Sequence, residues 1–99
     1  MRAIHLARLD KTRPVLILTR EAASGARDVT VAGITSNIRE VATELLVGKA
    51  NGLDHDCVVN LDDVQTIRRD DIGRFLGYLD TRQEPALHRA LIRAFDLDD

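Results

Sequence analysis

Tryptophan is absent from this 99-residue chain, and its whole aromatic complement is Phe75, Phe95 and Tyr78. Proteins that hold unpaired bases by stacking use aromatic platforms, so aromatic stacking is not expected to dominate any nucleic-acid binding here. A lone cysteine, Cys57, excludes an internal disulfide and a cysteine-based zinc site, and its place in the apolar run Cys57–Val59 predicts core packing. No stretch approaches the ~18 apolar residues of a membrane span. Met1 to Asp10 lacks the apolar core of a signal peptide, which leads to the expectation of a cytoplasmic protein with no membrane partner. Basic charge is not in excess either, with 14 Lys and Arg against 16 Asp and Glu and a net charge of −2. A uniformly basic, duplex-binding surface is thereby excluded, and any nucleic-acid site must be a local cluster. There is no phosphate-cradling glycine loop, no HExxH and no serine or cysteine elbow. The three histidines share no pairing, and Asp54-His55-Asp56 reads as a solvated turn, so neither a metal nor another cofactor is expected.

What remains is an ordinary globular composition, 44% hydrophobic and 30% charged, with room for one domain over residues 1–99. A domain this small buries a modest share of its surface, which favours pairing with a second copy. Its first half reads as strands. Ile4 to Leu9 is a short apolar/polar segment, Asp10 to Pro14 interrupts it, and Val15-Leu16-Ile17-Leu18 has the continuous aliphatic character of a strand buried on both faces. Ser24-Gly25 and Arg27-Asp28 supply turn chemistry. Val29 to Thr35 then alternates, with Val29, Val31, Gly33 and Thr35 on one face, and ends at Thr35.

Ser36 to Glu40 is a polar connection to a strand at Ala42–Val47, and Asn51-Gly52 marks a turn. Cys57–Leu61 and Val64–Ile67 predict two short strands parted by Asp62-Asp63, Arg68–Ile72 a helical turn, and Arg74–Leu79 a last strand. One amphipathic helix closes the chain, its stripe formed by Leu87, Ala90, Leu91, Ala94 and Phe95. Thr81 and Glu84 have capping-box spacing before Pro85, and Asp96, Asp98 and Asp99 oppose the helix dipole, so fraying is expected there. Short strands followed by one such helix predict a small, strongly bent β-barrel with the helix packed on it.

Several segments carry a resemblance. Thr12-Arg13-Pro14-Val15-Leu16-Ile17-Leu18 is similar to the arginine-proline-aliphatic strand that opens toxins of the MazF/PemK family, and Val31 to Arg39 to their second signature segment. Gly52-Leu53 with Cys57-Val58-Val59, and Asp62 to Ile67 with its D-x-x-x-T-I pattern, follow in the family's order. The short connection at Asp10–Thr12 resembles an actinobacterial subgroup. Gly33 stands where relatives often carry proline. The resemblance implies a PemK-like barrel of the SH3-like type, usually a homodimer. It also implies an endoribonuclease that cuts single-stranded RNA to a 2′,3′-cyclic phosphate and a 5′-hydroxyl, restrained by a MazE-like antitoxin. The target can be mRNA or a loop of tRNA or rRNA. The family's catalytic pair carries over onto Arg13 and Thr35.

Those residue types suit that reaction. The nucleophile is RNA's own 2′-hydroxyl, so the enzyme must hold it in line, move protons and stabilise charge on the phosphorus. A guanidinium fork and a threonine hydroxyl offer donors to the phosphate oxygens. An arginine is too basic to be the proton acceptor, and the base is left unassigned. Lys11, Thr12, Ser36, Asn37, Arg39 and Gln65 are the candidates for RNA binding, and Arg8, Arg68 and Arg69 for further phosphate contacts, in a groove expected to be locally basic. Taken singly, Arg13 is an exposed strand-edge charge and Thr35 a routine β-residue. Two other functions stay open: a non-enzymatic toxin acting on DNA gyrase like the CcdB relatives, and a barrel that only binds RNA or peptide.

Overall fold

The computed structural model describes residues 1–20 and 25–97. Among the described residues six strands, β1 (Arg2–Arg8), β2 (Thr12–Ile17), β3 (Asp28–Thr35), β4 (Glu44–Val47), β5 (Cys57–Arg68) and β6 (Ile72–Leu79), precede one α-helix, α1 (Glu84–Phe95). They form one antiparallel sheet in the order β4-β5-β3-β2-β1-β6. It is bent into a half-barrel with the helix laid on it, which is the mainly β architecture with a C-terminal helix that the strand pattern predicts.

The central strands are buried on both sides because the bent sheet carries a core on each face. Ile4, Leu16, Ala32, Ile34, Val59, Leu61 and Leu79 pack with Leu87 and Ala90 of α1. Ala7, Val15, Val29 and Val31 form a second cluster, joined by Ile67 and Ile72 at the β5–β6 corner. Neighbours in sequence therefore serve opposite cores, as with Val15 and Leu16, both fully buried. Cys57 is buried in the larger core, where desolvation raises its thiol pKa above the usual value.

Several boundaries differ from the sequence expectation. The break before β2 is confined to 9–11, and Arg13 and Pro14 lie inside the strand, paired with Ala7 and Leu6. β4 begins at Glu44 rather than Ala42. The two short segments around Asp62-Asp63 are one strand with a bulge. Ala32 faces Val64 but its neighbour Gly33 faces Asn60, so Leu61, Asp62 and Asp63 have no partner on β3. The bulge reverses the alternation of β5, and Val59 and Leu61 before it face the same core as Val64 after it.

At the other end, the Thr81–Glu84 capping box does not form. Helix α1 starts after Gln83, and the Asp80 carboxylate accepts from the backbone N–H groups of Arg82 (2.8 Å) and Gln83 (3.1 Å). Leu87 and Ala90 are buried and Leu91 and Ala94 pack beside them, but Phe95, the last helical residue, is 53% exposed. Phe75 and Tyr78 are also half exposed, so none of the three aromatics belongs to the core. Asp96 ends the helix in the left-handed conformation; Asp98 and Asp99, like Ser24, lie outside the described residues.

Asn51, expected only to mark a turn, is buried and ties three elements together. Its amide donates to the Tyr78 carbonyl (2.9 Å) and to Gln83 Oε1 (2.7 Å), and its own Oδ1 accepts from Gly48 N–H (3.1 Å). The turn can lie this close to β6 because Gly52 (φ 89°) and Gly77 face it, and a Cβ on either would collide with backbone. No described helix is long and apolar enough to cross a membrane.

Leu87→Ala is expected to cost about 2–5 kcal/mol in urea unfolding, since it empties a filled core position. The adjacent exposed His88→Ala should stay within about 0.5 kcal/mol.

Candidate active site

Hydrogen bonding between β2 and β3 stops at the pair Val15↔Gly33. The next residue of β2 is Pro14, which has no N–H with which to prolong the ladder. Continued by two residues, that register sets Arg13 opposite Thr35 on the face that Val15 and Gly33 share. A cavity of about 500 Å³ opens there. Asp10 and Arg13 enter it from the β1–β2 corner, Thr35, Asn37 and Arg39 from the end of β3 and the loop after it, and Asn60, Asp63 and Gln65 from β5.

Arg13 is held by Asp10 through two roughly parallel bonds, Nε to Oδ1 (3.1 Å) and Nη2 to Oδ2 (3.3 Å). Asp10 also accepts from the Lys11 backbone N–H (2.9 Å). The Arg13 side-chain bond and then the Lys11 amide hold the Asp10 carboxyl below the usual carboxylate range. The same carboxylate, with a smaller contribution from the charge of Asp63, raises the Arg13 pKa further above its ordinary value. Arg13 is therefore a fixed cation. Thr35 ends β3, and its Oγ1 accepts from the Asn37 N–H (3.1 Å), which leaves the hydroxyl hydrogen able to donate to a ligand.

The loop between β3 and β4 is organised by Glu44, whose side chain is only 3% exposed. Its carboxylate accepts from the Arg39 backbone N–H (3.0 Å), from Arg39 Nε (3.1 Å) and from the Val41 N–H (3.5 Å). Glu40 between them adopts a left-handed φ of 57°, which turns the chain around the anion. Arg39 also reaches Asn60 Oδ1 (3.5 Å) and lies 4.0 Å from Asp62 Oδ2, which accepts from Thr43 Oγ1 (2.6 Å). Burial alone raises the Glu44 pKa, but the Arg39 side chain and the backbone donors of Arg39, Val41 and Glu40 outweigh it and leave the value below 4.5.

Of the residues singled out in the sequence, Arg13, Thr35, Asn37, Arg39 and Gln65 line this cavity. Lys11 and Ser36 are exposed outside its wall, and Thr12 faces a shallower hollow with Arg8, Asp70 and Arg74. Arg8 pairs with Asp71 (3.6 Å), and Arg69 lines a different cavity. The expected basic groove is instead balanced, with Arg13 and Arg39 set against Asp10 and Asp63 in the wall.

A family model describing the PemK-like, MazF-like toxins of type II toxin–antitoxin systems matches residues 5–95. The chain belongs to that family. The endoribonuclease MazF3 of Mycobacterium tuberculosis is 54% identical over 99 residues, which span 99% of this chain and 96% of that protein. The M. tuberculosis toxin MazF-mt6 has a solved structure with a TM-score of 0.97 at 54% identity, covering 99% of this chain and 100% of the other. An endoribonuclease in complex with its cognate antitoxin, from a mycobacterial species, shares the MazF fold at 24% identity, with a TM-score of 0.86 over 98% of this chain and 94% of that one.

Sequence reasoning missed Asp10, Asn60 and Asp63 in the cavity and Glu44 behind it. Two acidic residues inside the apolar alternation at Asp62-Asp63 were the available signal, since charge placed within a strand is costly unless the strand is bent or functional there.

Because the folded pKa of Glu44 is depressed, its carboxylate stabilises the fold fully above 4.5, and the contribution is lost as pH falls through the folded value. Thermal melts of wild type and Glu44→Gln should differ at neutral pH and converge in acid. A difference that persists unchanged in acid would contradict this account.

Proposed function

We propose that this MazF-type endoribonuclease toxin cleaves single-stranded RNA at the cavity between β2 and β3, with Arg13 and Thr35 at the scissile phosphate. The observation that carries the reading is that these two side chains, far apart in sequence, line one cavity. In the reaction the 2′-oxygen bonds to phosphorus as its proton leaves, the bond from phosphorus to the 5′-oxygen breaks, and that oxygen takes a proton. The products are a 2′,3′-cyclic phosphate and a 5′-hydroxyl. Arg13 stabilises charge on the non-bridging oxygens once the phosphate takes the place of the Asp10 carboxylate on its fork, and the Thr35 hydroxyl adds a second donor. Because these groups supply the charge stabilisation, no metal is required.

Asn37 and Gln65 expose amides that can read the edges of splayed bases in a mRNA or in a tRNA or rRNA loop. Arg39 serves mainly to hold the loop that presents Asn37. Lys11, Thr12 and Ser36, outside the cavity, remain candidates for contacts with flanking nucleotides. Half-exposed Phe75 and Tyr78, whose rings lie 4.9 Å apart on β6, and the exposed Leu46 on β4 support pairing with a second copy. A MazE-like antitoxin segment that occupies the RNA groove accounts for restraint in the cytoplasm, and the fold shared with a mycobacterial toxin bound to its cognate antitoxin supports it.

Incubation with an RNA pool in EDTA should yield cuts with cyclic-phosphate ends. Arg13→Ala should lower the rate about 100- to 1,000-fold and Thr35→Ala by a smaller factor. Full cutting by Arg13→Ala would refute the site, and loss of cutting in EDTA would refute metal independence.

A further inference from the structure

Removing the 2′-hydroxyl proton requires an acceptor, and neither Arg13 nor Thr35 is one. Arg13 is a cation whose charge is reinforced by its neighbours. No histidine reaches the cavity; His5 lines a different one, and His55 and His88 are exposed elsewhere. Among the described residues, the polar wall otherwise consists of the cation Arg39, the neutral amides Asn37, Asn60 and Gln65, and two carboxylates, Asp10 and Asp63. Asp10 has both oxygens committed to Arg13 and one of them also to the Lys11 amide. Asp63 has no such engagement: among the described residues its carboxylate makes no hydrogen bond or ion pair. Its neighbour Asp62 is instead held by Thr43.

The position of Asp63 is set by the bulge. It is the last of the three β5 residues without a partner on β3, and its carboxylate lies over the backbone of Gly33, where any Cβ would overlap Oδ2. Gly33 is two residues before Thr35 on the same strand face, roughly 7 Å along β3. A phosphate between Arg13 and Thr35 therefore has an unoccupied carboxylate in the wall of the same cavity.

We propose that Asp63 is the general base of the cleavage, its Oδ2 taking the proton from the 2′-hydroxyl as that oxygen bonds to phosphorus. The assignment rests on the site reading above and adds the acceptor which that reading lacks. The 2′-O–H bond breaks to give a neutral Asp63 carboxyl, and the proton returns to solvent after product leaves. Gly33 is part of the device, because only a residue without a side chain leaves room for the carboxylate.

The test compares wild type, Asp63→Asn, Gly33→Ala and Arg13→Ala on one mapped RNA, its 2′-deoxy analogue and a version with sulfur as the 5′-bridging atom. Asp63→Asn should cut about 100- to 10,000-fold more slowly, the range expected for loss of a proton acceptor, and bind the 2′-deoxy RNA no more weakly than wild type. Its cutting should stay slow with the sulfur substrate, whose leaving group needs no proton. Gly33→Ala keeps the carboxylate but pushes it aside, and should lose about 100-fold with circular dichroism and binding preserved. Wild-type cutting by Asp63→Asn would overturn the assignment, as would rescue by the sulfur substrate or a loss matched by weaker 2′-deoxy binding. An inactive Arg13→Ala alongside an active Asp63→Asn overturns only the base; an active Arg13→Ala overturns the site itself.

Discussion

The bulge in β5 opposite the Ala32–Gly33 step is the constraint on which both the fold and the site depend. Three residues of β5 with no partner on β3 bend the strand, and the bend lets a six-stranded sheet wrap a core on each face. The reversal of alternation keeps Val59, Leu61 and Val64 in one core while Ile67 joins the other. The same extra length carries Asp62 and Asp63 to the rim, one to hold Thr43 and the other to lie over Gly33.

Around that bend, the site is made by groups that first satisfy one another. Asp10 occupies the fork of Arg13, Glu44 gathers the donors of the loop that follows β3, and Thr35 accepts from the next turn. Charges in the wall cancel, which fits a protein whose net charge is −2. A phosphate entering such a wall exchanges one anion for another on Arg13 rather than charging an empty cation, so affinity rests on the fit of the whole cavity. MazF-type chemistry suits such a wall, since the attacking oxygen belongs to the substrate and the protein supplies geometry, donors and a proton acceptor.

Much of the fold was legible because local pattern and burial agree. The aliphatic run of β2 is buried on both faces, the stripe of Leu87, Ala90, Leu91 and Ala94 covers a core, and Cys57 packs inside. Arg13 and Thr35 could be singled out because their flanking segments resemble a family in order and spacing. Phe95 misled because its position on the stripe says nothing of where the helix stops, and the capping box because Asp80 already holds the Arg82 and Gln83 amides in a turn ahead of a helix that starts only after Gln83. Asp62-Asp63 misled for a deeper reason: acidic residues interrupt a strand on paper, yet a bulge accommodates them without ending it.

The chain alone determined its strand-rich class, its closing helix and its family, and it offered Arg13 and Thr35 as candidates for the site. These follow from periodicity, from turn chemistry and from motifs that are each contiguous in sequence. Tertiary structure alone decided that Arg13 and Thr35 line one cavity, that Asp10 holds the guanidinium, that Glu44 organises a loop and that Asp63 has its oxygens to spare. Such relations depend on strand register and on the place of one bulge, where a shift of a single residue turns a side chain to the opposite face.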